Sequence, residues 1–231
     1  MKTIVQSNMR FRNKEGWLDT RWHFSFSDYY DPKNNGWGSL RVFNDDRIAP
    51  GGIFDMHPHA NFEIFTLVLE GELGHRDSQG NNGAIKEDEA QIMSAGSGIF
   101  HSEANSGKSF LHLLQIWLSP AKKGGKAEWK THAFKKQEFA NALLPLVSGE
   151  GKIKSPLRMR QSATIYRSIL AKGKSLSHPF SQTHGYIFVI SGSIIAGGDK
   201  MEAGDSMKIK DEKKIEIKSD KGADFLLFDM P

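Results

Sequence analysis

The chain has 231 residues, with 31 Lys and Arg against 27 Asp and Glu, nine histidines and no cysteine. This length allows one large β domain or two of about 100 residues each, and the scattered, nearly balanced charges give little support for direct nucleic-acid binding. The N-terminus lacks the apolar core of a signal peptide and no apolar run approaches the roughly 20 residues that cross a bilayer, so we expect a cytoplasmic protein with no membrane contact.

Short runs rich in Val, Ile, Leu and Phe recur along the chain, separated by Gly, Asn, Asp and Pro. This spacing is typical of an all-β sandwich or barrel. In chain order, the clearest predicted strands are FEIFTLVLEGEL, AQIMSAGSGIF, FLHLLQIWL, GYIFVISGSII and KIEIKS. The polar composition of Ser119–Lys130 predicts a connection leaving one domain, and the one predicted helix is Gln137–Val147, which contains Pro145.

The two halves of the chain resemble each other. LVLEGEL (Leu67–Leu73) can be laid over FVISGSI (Phe188–Ile194), with Gly71 on Gly192, so that each piece is an apolar strand, a glycine turn and a return strand. We therefore predict a duplicated β unit, with a first domain at residues 1–134 and a second at 135–231.

Two pairs of polar residues have the spacing that places side chains on one face of a strand. In GGIFDMHPHANFE, His57 and His59 are separated by one residue, and in GSGIFHSEAN the same spacing joins His101 and Glu103. Together they form a predicted four-ligand set. A lone histidine is more often structural, and we assign that role to the remaining six, which are His23, His75, His112, His132, His178 and His184.

The absence of cysteine restricts any metal site to nitrogen and oxygen ligands. Three imidazoles and one carboxylate suit a borderline divalent ion such as iron, manganese, nickel, copper or zinc. If no ion bound there, clustered imidazoles would repel each other when protonated and would lose hydration when buried. The pattern therefore predicts one metal site in the first domain.

These motifs resemble those of a known superfamily. H-x-H-x3-E at His57, His59 and Glu63, and G-x2-H-x3-N at Gly98, His101 and Asn105, are similar to the two cupin motifs. The finer resemblance, over about residues 10–120, is to pirin and the bacterial pirin-like proteins. It rests on GWLDTRWHFSFSDYYDP, LRVFNDDRIAPGGIFDMHPHANFEI, LEGELGHRDSQGN and IMSAGSGIFHSEAN.

The resemblance implies an all-β bicupin, with two tandem jelly-roll barrels and a metal only in the first. The implied ligands are His57, His59, His101 and Glu103, and the implied cofactor is one divalent transition metal, with Fe(II) first and Mn, Ni, Co, Cu and Zn as alternatives. Seven residues separate Glu63 from Gly71, where other cupins have six. We therefore expect Glu63 to orient a ligating imidazole rather than to bind the metal.

The resemblance also implies an activity, quercetin 2,3-dioxygenase, with a flavonol and O2 as substrates and Glu103 as the base. One alternative is a metal-containing regulatory protein that binds a transcription factor or another protein. A further alternative is a cupin isomerase or a storage module. A roomy apolar mouth over His57 and Glu103 would favour the enzyme, and a flat basic face beside a closed cavity would favour the binding protein. We expect a monomer.

Overall fold

The computed structural model of the chain describes residues 1–151 and 153–231, and its regular structure there is almost entirely β. Among these described residues, the helical structure consists of two single 3-10 turns, Ser7–Met9 and Lys136–Phe139. The all-β prediction is confirmed. No helix within the described ranges is long and apolar enough to cross a membrane.

Most of the connections between strands are short, the longest being residues 23–39, and the strands follow one another through the described residues. In order they are β1 (Lys2–Val5), β2 (Phe11–Glu15), β3 (Leu18–Trp22), β4 (Leu40–Ile48), β5 (Ile53–His59), β6 (Glu63–Glu70), β7 (Glu72–Asp77), β8 (Asn82–Lys86), β9 (Glu89–Ser94), β10 (Ile99–Asn105), β11 (Leu111–Leu118), β12 (Glu128–Ala133), β13 (Leu144–Ser148), β14 (Leu157–Arg158), β15 (Thr164–Leu170), β16 (Lys174–Pro179), β17 (His184–Ala196), β18 (Asp199–Glu202), β19 (Ser206–Lys210), β20 (Lys214–Ser219) and β21 (Ala223–Met230).

The chain divides into two compact units. The N-terminal unit comprises Phe11–Phe134 and Leu157–Gln161, and the C-terminal unit comprises Met1–Arg10, Lys135–Pro156 and Ser162–Pro231. The first ten residues thus lie with the second half of the chain, because β1 pairs with β19 there.

The N-terminal unit contains two antiparallel sheets. One has four strands in the order β5-β10-β7-β8, and the other has seven in the order β12-β9-β6-β11-β4-β3-β2. Side chains alternate between the two faces of each strand, so the inward positions of both sheets fill a shared interior. Ile48 and Val68 of the seven-stranded sheet and Leu73 and Ile85 of the four-stranded sheet are fully buried together in this interior.

The same strand pairings recur in the C-terminal unit. The pairs β5–β10, β7–β8 and β6–β9 of the N-terminal unit have counterparts in β16–β20, β17–β18 and β17–β19. Gly71 and Gly192 both have a positive φ, +86° and +74°, and a Cβ at either would meet a backbone oxygen, that of Phe110 at 2.8 Å or that of Gly222 at 2.1 Å. Glycine is required at both turns, which supports the predicted duplication.

The predicted helix at Gln137–Val147 is wrong. The structure has one 3-10 turn at Lys136–Phe139, then Asn141 with φ of 54°, then strand β13. Pro145 has no N–H to donate within a helix, but it is tolerated in a strand where the ladder is irregular. The register of β13 against β15 shifts between Pro145 and Val147.

The predicted connection at Ser119–Lys130 is too long. Its last residues belong to β12, which pairs with β9 inside the N-terminal unit, with Trp129 opposite Met93. The Lys-rich and Gly-rich composition of the segment concealed the start of this strand, so only the part before Glu128 lacks regular structure.

Candidate metal centre

Two neighbouring strands of the four-stranded sheet, β5 and β10, carry the predicted ligands. In β10, His101 pairs with His57 of β5, and Glu103 pairs with His75 of β7. Between His101 and Glu103 the register against β5 shifts by one residue, which is a β-bulge. A bulge bends a strand and changes the direction of its side chains, and this one lies beside His57.

The structure brings the three predicted histidines together. The ring centroids of His57 and His59 are 4.8 Å apart, those of His57 and His101 are 4.5 Å apart, and those of His59 and His101 are 4.9 Å apart. One nitrogen from each ring lies within 4.8 Å of the others. Such a spacing lets three imidazoles converge on a single ion.

The hydrogen bonding of these rings fits a metal. Nε2 of His59 and both ring nitrogens of His101 are buried and have no hydrogen-bond partner. Nδ1 of His57 lies 2.6 Å from the carbonyl oxygen of Asp55, so that nitrogen donates and Nε2 keeps a free lone pair. Buried polar atoms normally have partners. Three converging rings with unpaired nitrogens therefore fit a bound divalent ion.

The electrostatics of the site keep the imidazoles of His59 and His101 neutral. Burial first, and the neighbouring His57 second, lower the pKa of His59 to about 4. Burial first, and then the neighbouring histidines, lower the pKa of His101 to about 2. Neutral imidazole is the form that binds a metal through nitrogen, so at neutral pH both rings are available without proton loss.

Glu103 is held by two glutamine side chains. Nε2 of Gln91 donates to Oε1 at 2.5 Å, and Nε2 of Gln115 donates to Oε2 at 2.7 Å. Each glutamine oxygen in turn accepts an indole N–H, from Trp129 at 2.7 Å and from Trp117 at 3.1 Å. An indole nitrogen can only donate, so both amides are oriented with their NH2 groups toward the carboxylate. Burial raises the pKa of Glu103.

His75, predicted from the sequence to be structural, lies in the site. It is buried, its Nδ1 has no hydrogen-bond partner, and it forms a second potential ligand group with His101 and Glu103. Its ring stacks on Trp129 at 4.8 Å, and its Nε2 lies 3.4 Å from Asp77. Strand alternation through GELGHRD, which places Leu73, His75 and Asp77 on one face, was the signal that could have identified it.

The expectation that Glu63 orients a ligating imidazole is wrong. One carboxylate oxygen, Oε2, accepts from the Ser94 hydroxyl at 2.6 Å and from the backbone N–H of Arg160 at 2.9 Å. Glu63 therefore attaches the segment at 157–161 to β6 within the N-terminal unit. Burial raises the pKa of its carboxyl group.

A cavity of about 410 Å³ leads from the surface of the N-terminal unit to this cluster. Ligand-binding cavities usually occupy about 300–1,000 Å³. Its apolar walls are Leu18, Trp22, Phe26, Phe54, Met56 and Trp117, and its polar lining is Asn44, Asp46, Asp55, His57, His59, Glu103 and Gln115.

His178 and His184 lie in the C-terminal unit, outside these groups. His178 is buried between Tyr166 and Phe180, and its Nε2 lies 3.4 Å from Asp229. Nδ1 of His184 lies 2.9 Å from the Thr183 hydroxyl. The two potential metal-binding groups found among the described residues both belong to the N-terminal unit.

Two β units of matching topology, the first with clustered histidines on neighbouring strands of one sheet, define a two-domain cupin. A family model described as "Pirin" matches residues 5–118, and one described as "Quercetinase C-terminal cupin domain" matches residues 146–230. The chain belongs to the pirin family, as its motifs predicted.

Relatives cover nearly the whole chain. A protein of Escherichia coli (strain K12) named "Quercetin 2,3-dioxygenase" is 39% identical over 231 residues, covering 99% of this chain and 98% of the relative. A "Pirin-like protein" of Caulobacter vibrioides is 37% identical over 215 residues, covering 93% of each. A crystal structure of a bacterial pirin from Escherichia coli in complex with nickel(II) is 37% identical, covers 100% of this chain and 99% of that one, and has a TM-score of 0.94.

Proposed function

We propose that this protein is a metal-dependent dioxygenase that cleaves flavonols such as quercetin with O2. The main support is the apolar cavity of about 410 Å³ that ends at His57, His59 and Glu103. A planar aromatic substrate matches walls built from Trp22, Phe26 and Trp117. The name of the Escherichia coli relative, quercetin 2,3-dioxygenase, agrees with this substrate class.

We assign the metal to His57, His59, His101 and Glu103. The unpaired ring nitrogens and the 4.8 Å convergence of the three histidines support this set. Such a ligand set accepts several first-row ions; we propose one divalent transition metal, Fe(II) first, while the relative crystallised with nickel(II) makes nickel the leading alternative. When bound, the ion would lower the pKa of the flavonol 3-hydroxyl and supply the redox chemistry for O2.

The aromatic wall would position the substrate and keep water out. The Trp117 ring packs edge-on against His59 with centroids 4.6 Å apart, and it contacts Phe26 in the same manner at 5.5 Å. Trp22 packs against Phe26 at 5.3 Å. Mutually packed rings lose little freedom when a ligand binds, so the wall is preorganised for a flat ligand.

Glu103 is the proposed base. It lines the cavity, and burial raises the pKa of its carboxyl group, which makes the carboxylate a better proton acceptor than an exposed one. The two glutamines fix its plane, so a carboxylate oxygen can accept the proton of the flavonol 3-hydroxyl without reorientation. Cleavage then consumes the flavonol and O2 and releases carbon monoxide.

The test is metal analysis of the purified protein together with oxygen uptake on a panel of flavonols. We expect about one metal ion per chain and oxygen uptake that requires both flavonol and metal, with the His101→Ala variant as the metal-free control. A fully metallated protein that consumed no oxygen with any flavonol would favour the alternative of a regulatory protein that binds a protein partner.

A further inference from the structure

The inward face of β4 is interrupted at its centre by two polar residues. The alternate residues of this strand that point into the N-terminal unit are, in order, Val42, Asn44, Asp46 and Ile48, all of them buried. A strand in a β interior normally carries apolar residues at every such position. Asn44 and Asp46 therefore break the pattern, and both line the cavity.

Asn44 is buried without a hydrogen-bond partner for its side-chain oxygen. The residue is only 4% exposed, and Oδ1 has no partner. A buried amide oxygen without a partner is disfavoured, because it has lost its water and gained nothing in return. Asn44 lies opposite Gln115 of β11, which donates to Glu103. Asn44 thus lies on the strand next to Gln115, and the side chain of Gln115 contacts the proposed metal ligand Glu103.

Asp46 lies on the same face, two residues further along the strand. It is also 4% exposed, and Oδ1 accepts a hydrogen bond from the Thr20 hydroxyl. Burial raises the pKa of Asp46 to about 7. No hydrogen bond to Oδ2 is present among the described residues, so this oxygen is open to a ligand in the cavity.

We propose that Asn44 and Asp46 form a subsite that binds the ring hydroxyl groups of a polyhydroxylated aromatic molecule. Each offers an unused acceptor to a phenolic O–H, and the amide of Asn44 can also donate to a hydroxyl oxygen. The surrounding walls are aromatic, which suits the ring that carries those hydroxyls. The subsite presupposes the proposed dioxygenase function and narrows its substrate class: the substrate is recognised by hydroxyls other than the one directed at the metal ligands.

A site built to hydrogen-bond a hydroxyl discriminates strongly against an analogue that lacks it, because its buried polar groups are then left unpaired. The experiment compares quercetin with 3-hydroxyflavone, which lacks the additional ring hydroxyls. Binding to the metal-loaded protein is measured under anaerobic conditions by quenching of tryptophan fluorescence. We expect quercetin to bind at least about tenfold more tightly than 3-hydroxyflavone.

The variants are Asn44→Leu, which restores the apolar pattern of the strand, and Asp46→Asn, which keeps the shape of the side chain. Asn44→Leu should reduce the tenfold preference to within about twofold, and Asp46→Asn should reduce it about threefold, because a neutral amide is a weaker acceptor than a carboxylate. Asn13→Leu, on β2 and outside the cavity lining, is the matched control and should leave the preference unchanged.

Thermal unfolding separates this role from a structural one. Because the Asn44 amide oxygen is unsatisfied, Asn44→Leu should leave the melting temperature unchanged or raise it while the preference is lost. A lower melting temperature with an unchanged preference would overturn the proposal. The subsite proposal would also be overturned if both variants kept the quercetin preference. If the protein still consumed oxygen with a flavonol in that case, the proposed dioxygenase function would stand. If the preference for quercetin depends on Asn44 but the protein consumes no oxygen, the subsite proposal is supported and the dioxygenase proposal is rejected.

Discussion

Gln91 donates a 2.5 Å hydrogen bond from Nε2 to Oε1 of Glu103. Trp129 fixes the orientation of the Gln91 amide, because its indole N–H donates to the amide oxygen and the NH2 group must then point toward Glu103. Gln115 and Trp117 repeat the arrangement on the other carboxylate oxygen. Each carboxylate oxygen of Glu103 therefore accepts one hydrogen bond from a glutamine, and the two bonds together fix the orientation of the carboxylate.

Replacing either glutamine should weaken metal binding. Groups that orient a metal ligand typically contribute about 10- to 100-fold in affinity, so we expect Gln91→Leu and Gln115→Leu each to lower affinity by about tenfold or more. The measurement is a competition titration with a chelator of known affinity. Gln137→Leu, at an exposed position of the C-terminal unit, is the control. Wild-type affinity in both glutamine variants would exclude this role.

Replacing the clustered histidines should remove the metal without unfolding the protein. His57→Ala, His59→Ala and His101→Ala should each abolish stoichiometric metal, while far-ultraviolet circular dichroism remains that of a β protein, because the apolar interior does not depend on the site. His178→Ala should retain full metal, although the loss of packing with Tyr166 and Phe180 should lower its melting temperature. Metal loss in His178→Ala would indicate a second site.

Replacing Glu103 should affect chemistry more than metal content. Glu103→Gln places its NH2 group against the NH2 group of Gln91 or Gln115, so that two donors face each other and metal binding should weaken as well. Turnover is therefore expressed per bound metal ion, and we expect it to fall at least about a hundredfold, within the usual range for a general base. Unmodified turnover in the metal-loaded variant would show that Glu103 is not the base.

The pH dependence of stability should report on Asp46. Burial raises its pKa to about 7 in the folded protein, against an ordinary 3.8, so between these two values the folded state binds more protons than the unfolded state. The stabilising contribution is fully present below about pH 4 and is lost as pH rises to about 7, at up to about 1.4 kcal/mol for each pH unit. Urea unfolding of the metal-free protein should therefore show a flatter pH profile for Asp46→Asn than for wild type. The profile of the exposed Asp28→Asn should be unchanged, and equal profiles for wild type and Asp46→Asn would contradict the raised pKa.

The sequence predicted the parts of the molecule that follow from local periodicity. Same-face pairing of His57 with His59 depends only on the alternation of a strand, and the glycine turns at Gly71 and Gly192 depend on backbone conformation that few other residues adopt. These expectations agree with the structure. The predicted helix at Gln137–Val147 is wrong. Its apolar spacing suits a helix, but Pro145 has no N–H to donate and residues 144–148 pair with β15 as a strand.

The rest of the site depends on contacts between distant strands. His75 meets Glu103 only because β7 pairs with β10 in one register, and Asn44 lies opposite Gln115 only because β4 pairs with β11. A single sequence does not specify either register. Glu63 matched a cupin motif, yet its partners are Ser94 and Arg160, which lie far along the chain in other elements.

If the ion held beside Glu103 performs oxygen chemistry on a flavonol, O2 and quercetin must disappear together. The decisive measurement is the ratio of O2 consumed to quercetin lost, taken together with carbon monoxide release and metal content on the same sample. We expect equimolar consumption of O2 and quercetin with equimolar carbon monoxide, at a rate proportional to bound metal and absent from His101→Ala. Full metal occupancy with no oxygen uptake, or uptake that is equal in His101→Ala, would contradict the proposed chemistry.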